Sequence, residues 1–206
     1  MLGGCLTCAM NREELSLFAH AMNLLDRFLS VRPAERNNLQ VLGAACLLIA
    51  SKLRESMHLT VADLAYYSAG AFDEDCLRSF ETTVLNALDW DVCCITPHAF
   101  YPHLMARLPL DCAQWDAKVV KQHTFTIIAL CAADYEFALR APSVIACVSL
   151  AAALLGLGWT DRLGRTKDEL LALIRTALGI TLEDFCQAVV QANTALERWR
   201  AHLSRV

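Results

Sequence analysis

The sequence predicts an all-α protein made of two tandem helical repeats. Apolar residues recur at intervals of three and four along most of the chain, which is the period of one face of an α-helix. No segment shows the alternating pattern of a β-strand. The apolar run GAACLLIAS at 43–51 is matched in pattern by VIACVSLAA at 144–152, and similar segments surround each run. We therefore place a boundary near Ile95, with a first domain at 1–95 and a second at 96–206.

Four helices are predicted in the first repeat. Residues 13–30 form one helix, which Pro33 ends. The predicted apolar face of this helix carries Leu15, Phe18, Met22, Leu25 and Leu29. The segment from Leu39 to Leu53 forms the next helix, and Thr60 is a suitable N-cap for a short third helix that ends near Gly70. The acids of FDEDC then begin the fourth helix, because the positive end of the helix dipole favours negative charge there.

The second repeat begins at Thr96-Pro97, because threonine caps a helix and proline fits its first turn. The expected helices are, in order, a short one to about Leu108, a long one at 112–137, an apolar one from Pro142, and two at 166–178 and 181–202. The last helix starts in a sequence that resembles a capping box, with Thr181 and Asp184 three positions apart.

Composition and charge exclude several classes of protein. The net charge of −4 and a pI of about 5.8 give no overall attraction to nucleic acid. The longest apolar segments, 39–50 and 144–159, have 12 and 16 residues, which is too short to cross a bilayer. Apolar residues make up 56% of the chain, enough to bury large cores without disulfides. We therefore expect the ten cysteines to be reduced, as small apolar groups in the cytosol or nucleus.

No constellation of catalytic or metal-binding residues stands out. Cys5 and Cys8 have the spacing of half a zinc site, but no second Cys/His pair follows at a suitable distance. The six histidines form no metal-binding pair, and there is no glycine-rich phosphate loop or nucleophile motif. We therefore expect neither a metal, nor a cofactor, nor enzymatic activity, and we expect the protein to act through a surface.

The apolar helix of the first repeat ends in charge, and that charge has a candidate partner. Lys52 follows the run at 43–51, and Glu81 lies 29 positions later, in the predicted fourth helix. From the residues alone, the best interpretation is a solvent-exposed intramolecular ion pair that contributes at most about 1 kcal/mol.

Several motifs of the chain resemble the cyclin box. The first half contains AMNLLDRFLSV, LQVLGAACLLIASKLRES and LTVADLAYYSAGAFDEDCLRSFETTVLNALDWDV, and the second half contains TPHAFYPHL and CAADYEFALRAPSVIACVSLAAALLGLG. Their order and spacing over residues 13–200 resemble the tandem repeats of cyclins, most of all the D-type cyclins. The resemblance implies about five helices in each repeat, with the first repeat truncated at its N-terminus.

The resemblance also implies a function. Cyclins are regulatory subunits that bind a cyclin-dependent serine/threonine kinase on the side of its αC helix, and D-type cyclins control the passage from G1 to S phase. The resemblance makes Lys52 and Glu81 kinase-contacting residues, with Leu53 as a further member of the contact. It implies a cyclin-dependent kinase as partner, pocket proteins as substrates of the complex, and a location in nucleus and cytoplasm. Neither nucleic acid nor a membrane is an expected partner.

The chain departs from the family at its N-terminus. The family's first helix carries an M-R-x-x-L…W motif, and residues 1–10 supply no such motif. In the family, the arginine of that motif pairs with the aspartate that corresponds to Asp26, so we expect Asp26 to be a buried acid without its partner. D-type cyclins also carry L-x-C-x-E for binding pocket proteins. Here Met10 stands where that glutamate should be, after Leu6 and Cys8, so this activity is not carried over.

Two alternative functions stay open. A general transcription factor uses tandem cyclin-like repeats to bind DNA, so a nucleic-acid-binding module is one alternative, although the pI and the Lys52/Glu81 spacing argue against it. The other is a truncated isoform that binds a kinase without activating it.

Overall fold

A computed structural model describes residues 12–54, 59–108, 116–137, 139–164, 166–179 and 181–203. The described residues form ten α-helices joined by turns and short 3₁₀ segments, and no strand is found among them. The prediction of an all-α protein is confirmed. The described residues divide into two compact units, one at Leu17–Cys94 and the other formed by those from Ile95 onward together with those before Leu17.

The unit at Leu17–Cys94 takes its helices from the first half of the chain, and all four predicted helices are present. They are α1 (Arg12–Val31), α2 (Leu39–Arg54), α3 (Val61–Tyr67) and α4 (Glu74–Ala87). The segment of α2 from Val41 to Ser51 has no exposed residue, so α2 is the central helix. It packs against α4, and it shares one hydrophobic core with Leu24 and Phe28 of α1.

The buried face of α1 agrees only in part with the predicted apolar face. The core residues of this unit that come from α1 are Leu17, Ala21, Leu24 and Phe28. Of the predicted apolar face, Leu15 is buried and Leu25 is partly buried against the core, whereas Leu29 is exposed. Both sets have helical spacing, because α1 is apolar over much of its circumference. The neighbouring helices decide which set is buried, and a pattern within one helix does not contain that information.

Local side-chain hydrogen bonds fix where α3 and α4 begin. Thr60 Oγ1 accepts from the backbone N–H of Asp63 at 3.1 Å, and the Asp63 carboxylate accepts from the backbone N–H of Thr60 at 3.2 Å, which completes a capping box. Asp73 caps α4 by accepting from the backbone N–H of Cys76 at 2.7 Å. The predicted cap at Thr60 and the predicted acidic start of α4 are confirmed.

The second unit is built around another apolar central helix. Its helices are α5 (Tyr101–Arg107), α6 (Ala117–Ala132), α7 (Pro142–Gly156), α8 (Trp159–Leu163), α9 (Lys167–Leu178) and α10 (Leu182–Leu203). α7 is buried along most of its length and packs against α6 and α10. The hydroxyl of Thr181 donates to the Asp184 carboxylate at 2.6 Å, at the start of α10 where a capping box was predicted.

One predicted helix end in this unit is wrong, and one helix was not predicted. α6 ends at Ala132, five positions before the predicted end at 137, because the Asp134 carboxylate accepts from the backbone N–H of Glu136 and turns the chain. The predicted start at 112 lies outside the described residues. The short helix α8 was not predicted, because Gly158 and Gly164, both at positive φ, bound a segment too short to show a period.

The described helices bear on two of the expectations from composition. None of them is long and apolar enough to span a bilayer. Within the part of the chain that the structure describes, the seven cysteines are free thiols.

Candidate functional site

Lys52 and Glu81 meet in the structure as an ion pair. Lys52 lies in the last turn of α2 and Glu81 in the middle of α4, and the packing of these helices brings the Lys52 ammonium to 2.5 Å from the Glu81 carboxylate. The side chain of Lys52 is 42% exposed and that of Glu81 is 15% exposed. An ammonium group has three N–H donors, so donation to Glu81 leaves two donors for another acceptor.

Leu53 presents apolar surface beside this pair. It follows Lys52 in the last turn of α2 and is 44% exposed, although most large apolar residues of α2 are buried. A leucine held at the surface next to a charged pair is a common composition for a protein-interaction site, where apolar contact gives affinity and charge gives orientation.

The residues on either side of Lys52 and Leu53 are anchored. The buried Ser51 hydroxyl accepts from the backbone N–H of Leu59 at 2.7 Å. The Arg54 guanidinium donates to Nδ1 of His20 at 3.3 Å and to the carbonyl of Cys94 at 3.1 Å. The polar side chains of the last turn of α2 thus bond to α1, to α4 and to two connecting segments. Leu53 is the residue of this turn that faces solvent without such a bond.

His20 is a part of this arrangement that the sequence did not reveal. It lies in α1, is 1% exposed, and its Nε2 is 2.9 Å from the carbonyl of Val92. Burial lowers the pKa of His20 below its ordinary value, and the charges of Arg54 and Arg27 lower it further, while the hydrogen bond to Val92 acts in the opposite direction. The bonding partners are 34 and 72 positions away, so no local spacing marks this histidine.

Trp90 is an exposed large apolar residue that follows the end of α4. Asp89 and Trp90 both have positive φ, of 50° and 60°, and the backbone N–H of Trp90 bonds to the carbonyl of Leu85 at 2.9 Å. Leu85 lies one helical turn after Glu81 on the same face of α4. The Trp90 side chain is 65% exposed, an unusual position for an indole. Its sequence context alone did not distinguish it from a core residue.

Asp26 lies on α1, the helix that also carries His20. It is half-buried, burial raises the pKa of its carboxyl group, and no hydrogen bond or ion pair of Asp26 is found among the described residues. The side-chain oxygen of Asn23, one turn earlier, is buried and also without a partner in that part of the chain. Two neighbouring acceptors on α1 therefore have no described donor.

The structure offers no metal-binding group among the residues it describes. No cluster of three or more His, Cys, Asp or Glu side chains in that part of the chain is arranged to hold a metal ion. Cys5 and Cys8, and the Leu6–Met10 segment, lie outside the described residues. Burial raises the pKa of the Cys46, Cys131 and Cys147 thiols to about 12, which makes them poor ligands and poor nucleophiles.

Comparison with known proteins identifies the family. The cyclin N-terminal domain matches residues 7–93, and the cyclin C-terminal domain matches residues 95–193. The chain belongs to the cyclin family. The predicted resemblance to cyclins, and the prediction of two tandem repeats of this fold, are confirmed.

This cyclin is similar to D-type relatives. It is 41% identical over 185 residues to human G1/S-specific cyclin-D3, covering 90% of this chain and 62% of the relative. It is 38% identical over 189 residues to Xenopus laevis G1/S-specific cyclin-D2, covering 90% of this chain and 64% of the relative. The chain therefore spans less than two thirds of the length of these relatives.

A solved structure supports the same fold. The crystal structure of a viral cyclin from herpesvirus saimiri superposes with a TM-score of 0.61 and 22% sequence identity, over 87% of each chain. At this level of identity the comparison concerns the fold alone.

Proposed function

We propose that this cyclin is a non-catalytic regulatory subunit that binds and activates a cyclin-dependent serine/threonine kinase at the passage from G1 to S phase. The similarity to relatives named G1/S-specific cyclins supports this role. The observation that carries the site is the anchored last turn of α2, which holds Lys52 against Glu81 and leaves Leu53 facing solvent. Lys52, Glu81 and Leu53 are the proposed kinase-binding residues.

The proposed mechanism acts on the kinase rather than on a substrate. Docking on the αC-helix side of the kinase presses that helix inward, which completes the kinase's own Lys–Glu ion pair and lets its activation loop order. Both changes are needed for phosphoryl transfer, and this cyclin contributes no reacting group to it. Pocket proteins are the proposed substrates of the complex, which would act in nucleus and cytoplasm.

The charged residues Lys52 and Glu81 and the apolar residue Leu53 contribute differently to binding in this proposal. The two remaining donors of Lys52 would bond to backbone carbonyls or side chains of the kinase, and Glu81 keeps the ammonium in place. Charged groups at an interface set orientation more than affinity, since their desolvation offsets much of the attraction. Affinity would come from burying Leu53, because apolar contact in the core of an interface contributes much of the binding energy.

The test uses purified components. The full chain is mixed with purified cyclin-dependent kinases, and binding is measured by calorimetry, with phosphorylation of a pocket-protein fragment as the second readout. We expect Lys52→Ala and Glu81→Ala each to weaken binding by about tenfold or more, as for removal of one member of an interfacial charge pair. Arg198→Ala is the matched control, since it removes an ion-paired residue that bonds Asp134 and Glu136 in the second unit.

Three outcomes contradict parts of the proposal. If the wild-type chain binds a kinase and both substitutions leave the affinity unchanged, the site is wrong. Binding without stimulated phosphorylation would contradict activation and favour the non-activating isoform. Salt-sensitive binding to DNA, with no kinase bound, would favour the nucleic-acid-binding alternative.

A further inference from the structure

His20 connects three segments of the unit at Leu17–Cys94. It lies in α1, contacts Arg54 at the end of α2, and contacts Val92 in the segment that follows α4. Arg54 reaches the same segment through the carbonyl of Cys94. Arg27, two turns after His20 in α1, bonds to Asp91 at 2.9 Å. Side chains of both α1 and α2 therefore bond to the segment at 91–94 and hold it in place.

The partners of His20 determine where its proton lies. A carbonyl oxygen accepts only, so Nε2 must carry the proton that bonds to Val92. Nδ1 then has a free lone pair and accepts from Nε of Arg54. This arrangement requires the neutral imidazole, because each ring nitrogen has a different role.

A second proton on His20 would break the contact with Arg54. Protonated Nδ1 is a donor, and it would face the N–H donor of Arg54. The added charge would also lie close to two cations, Arg54 of α2 and Arg27 of α1. On the segment at 91–94 the described titratable groups are Asp91, already bonded to Arg27, and the thiols of Cys93 and Cys94. None of these offers a free carboxylate to the imidazolium.

We propose that neutral His20 is a positioning residue for the kinase-binding surface. By accepting from Arg54 it holds the last turn of α2, and with it Lys52 and Leu53. Protonation of His20 releases Arg54, loosens that turn and weakens kinase binding. The inference rests on the proposed function, because it states how the same surface is held in place and made sensitive to acid.

Two substitutions of His20 distinguish the effect of its hydrogen bonds from the effect of its protonation. His20→Gln keeps an N–H donor group and an acceptor oxygen but does not titrate in this range, so it should hold Arg54 and Val92 at every pH. His20→Leu has a similar volume and neither group. His123→Gln is the matched control, since His123 is exposed on α6 of the second unit.

The first measurement is made on the chain alone. Hydrogen exchange of the last turn of α2 is followed at about pH 7.5 and about pH 4.5, with correction for intrinsic exchange. The lower value lies well below the ordinary histidine pKa, because burial and the two arginines lower the pKa of His20. In the wild type and in His123→Gln, protection should fall about tenfold at the lower pH, the size of one lost hydrogen bond to a charged group. Protection in His20→Gln should not change with pH, and in His20→Leu it should be low at both values.

The second measurement is the dissociation constant for a purified cyclin-dependent kinase at the same two pH values. His20→Gln reports the pH dependence of the kinase itself, so the expected result is an extra weakening of about tenfold in the wild type at the lower pH. Equal pH dependence in the wild type and His20→Gln would overturn the proposal, as would wild-type affinity in a folded His20→Leu variant. If the wild type binds no kinase, the proposed function fails, and hydrogen exchange alone then decides whether His20 holds α2.

Discussion

At the scale of single residues, Lys52 and Glu81 are an intramolecular pair before any partner binds. The Lys52 side chain is 42% exposed, so solvent screens much of its attraction to Glu81. The pair therefore adds little to folding and instead fixes the ammonium in one position. A charge held in place loses less conformational freedom when a partner binds, which favours binding.

We predict that Lys52→Ala lowers the free energy of unfolding by about 1 kcal/mol or less, as for other exposed ion pairs. Urea unfolding followed by circular dichroism measures this. The same substitution should weaken kinase binding strongly. A loss of stability of about 3 kcal/mol or more would instead be typical of a buried pair and would make Lys52 a structural residue.

Asp26 gives a prediction with a defined dependence on pH. Its folded-state pKa is raised by burial, so Asp26 stabilises the fold below its ordinary pKa of about 3.9, and this contribution is lost as the pH rises through the folded-state value. Asp26→Asn should therefore be at least as stable as the wild type at neutral pH, and its advantage should shrink as the pH falls. The difference in urea midpoints between the two proteins, measured from neutral pH downward, tests this.

A clear loss of stability in Asp26→Asn at neutral pH would contradict this prediction. It would show that the carboxylate is ionised and paired, and that its partner lies outside the described residues. Ser30→Ala is the control, because Ser30 is an exposed residue of the same helix whose hydroxyl bonds only to the carbonyl of Arg27 among the described groups.

At the scale of helices, the residues at the N-terminal end of α3 fix the position of that helix. α3 has only seven residues and no buried one, so its cap contributes a large part of its local stability. The segment that leads into α3 also carries Leu59, whose N–H bonds to Ser51 at the end of α2. The start of α3 therefore contributes to holding the candidate site.

We predict that Thr60→Ala lowers the free energy of unfolding by about 1 kcal/mol, the usual effect of losing an N-cap. Thermal or urea unfolding measures the change. Thr82→Ala is the control, because the Thr82 hydroxyl bonds to the carbonyl of Arg78 within α4, and its removal should cost little. Equal effects of the two substitutions would show that the capping box does not stabilise α3.

The start of a helix could be predicted from the sequence where a nearby side chain caps it. Thr60, Asp73 and Thr181 each act on residues up to three positions away, and their helices start where predicted. The turn at Asp134 is also local, but a single carboxylate inside an otherwise helical pattern gave no clear signal. The buried face of α1 depends on α2 and α4, so periodicity within α1 did not select it.

At the scale of the whole molecule, the described cysteines differ widely in burial. Cys46, Cys131 and Cys147 are buried in helices of both units, and burial raises the pKa of each thiol to about 12. Cys93 and Cys186 are exposed. The reactivity of these two groups of thiols should therefore differ widely, because the thiolate is the reacting form.

We predict that iodoacetamide modifies Cys93 and Cys186 of the native protein quickly and leaves Cys46, Cys131 and Cys147 unmodified. Peptide mass mapping at neutral pH, with and without denaturant, measures each site separately. In denaturant all five should react at similar rates. Fast labelling of Cys46 in the native state would show that the packing of α2 against α4 opens readily.

The candidate site could be predicted only in part. Resemblance to cyclins predicted Lys52, Glu81 and Leu53. The 29 positions between Lys52 and Glu81 predict no contact by themselves, because the contact depends on the packing of α2 on α4. His20 was missed because its hydrogen-bond partners lie 34 and 72 positions away along the chain. The high apolar fraction correctly indicated large buried cores, but composition carried no information about which surface is used.

The anchoring of the last turn of α2 has a consequence for how the protein is made. Its bonds reach back to His20 and forward to Leu59, Glu81 and Cys94. A chain still emerging from the ribosome contains His20, Lys52 and Leu53 before it contains Glu81 and Cys94, which complete these bonds. The surface therefore comes into existence only when the whole unit has folded, and a partner that recognises it selects finished molecules over incomplete ones.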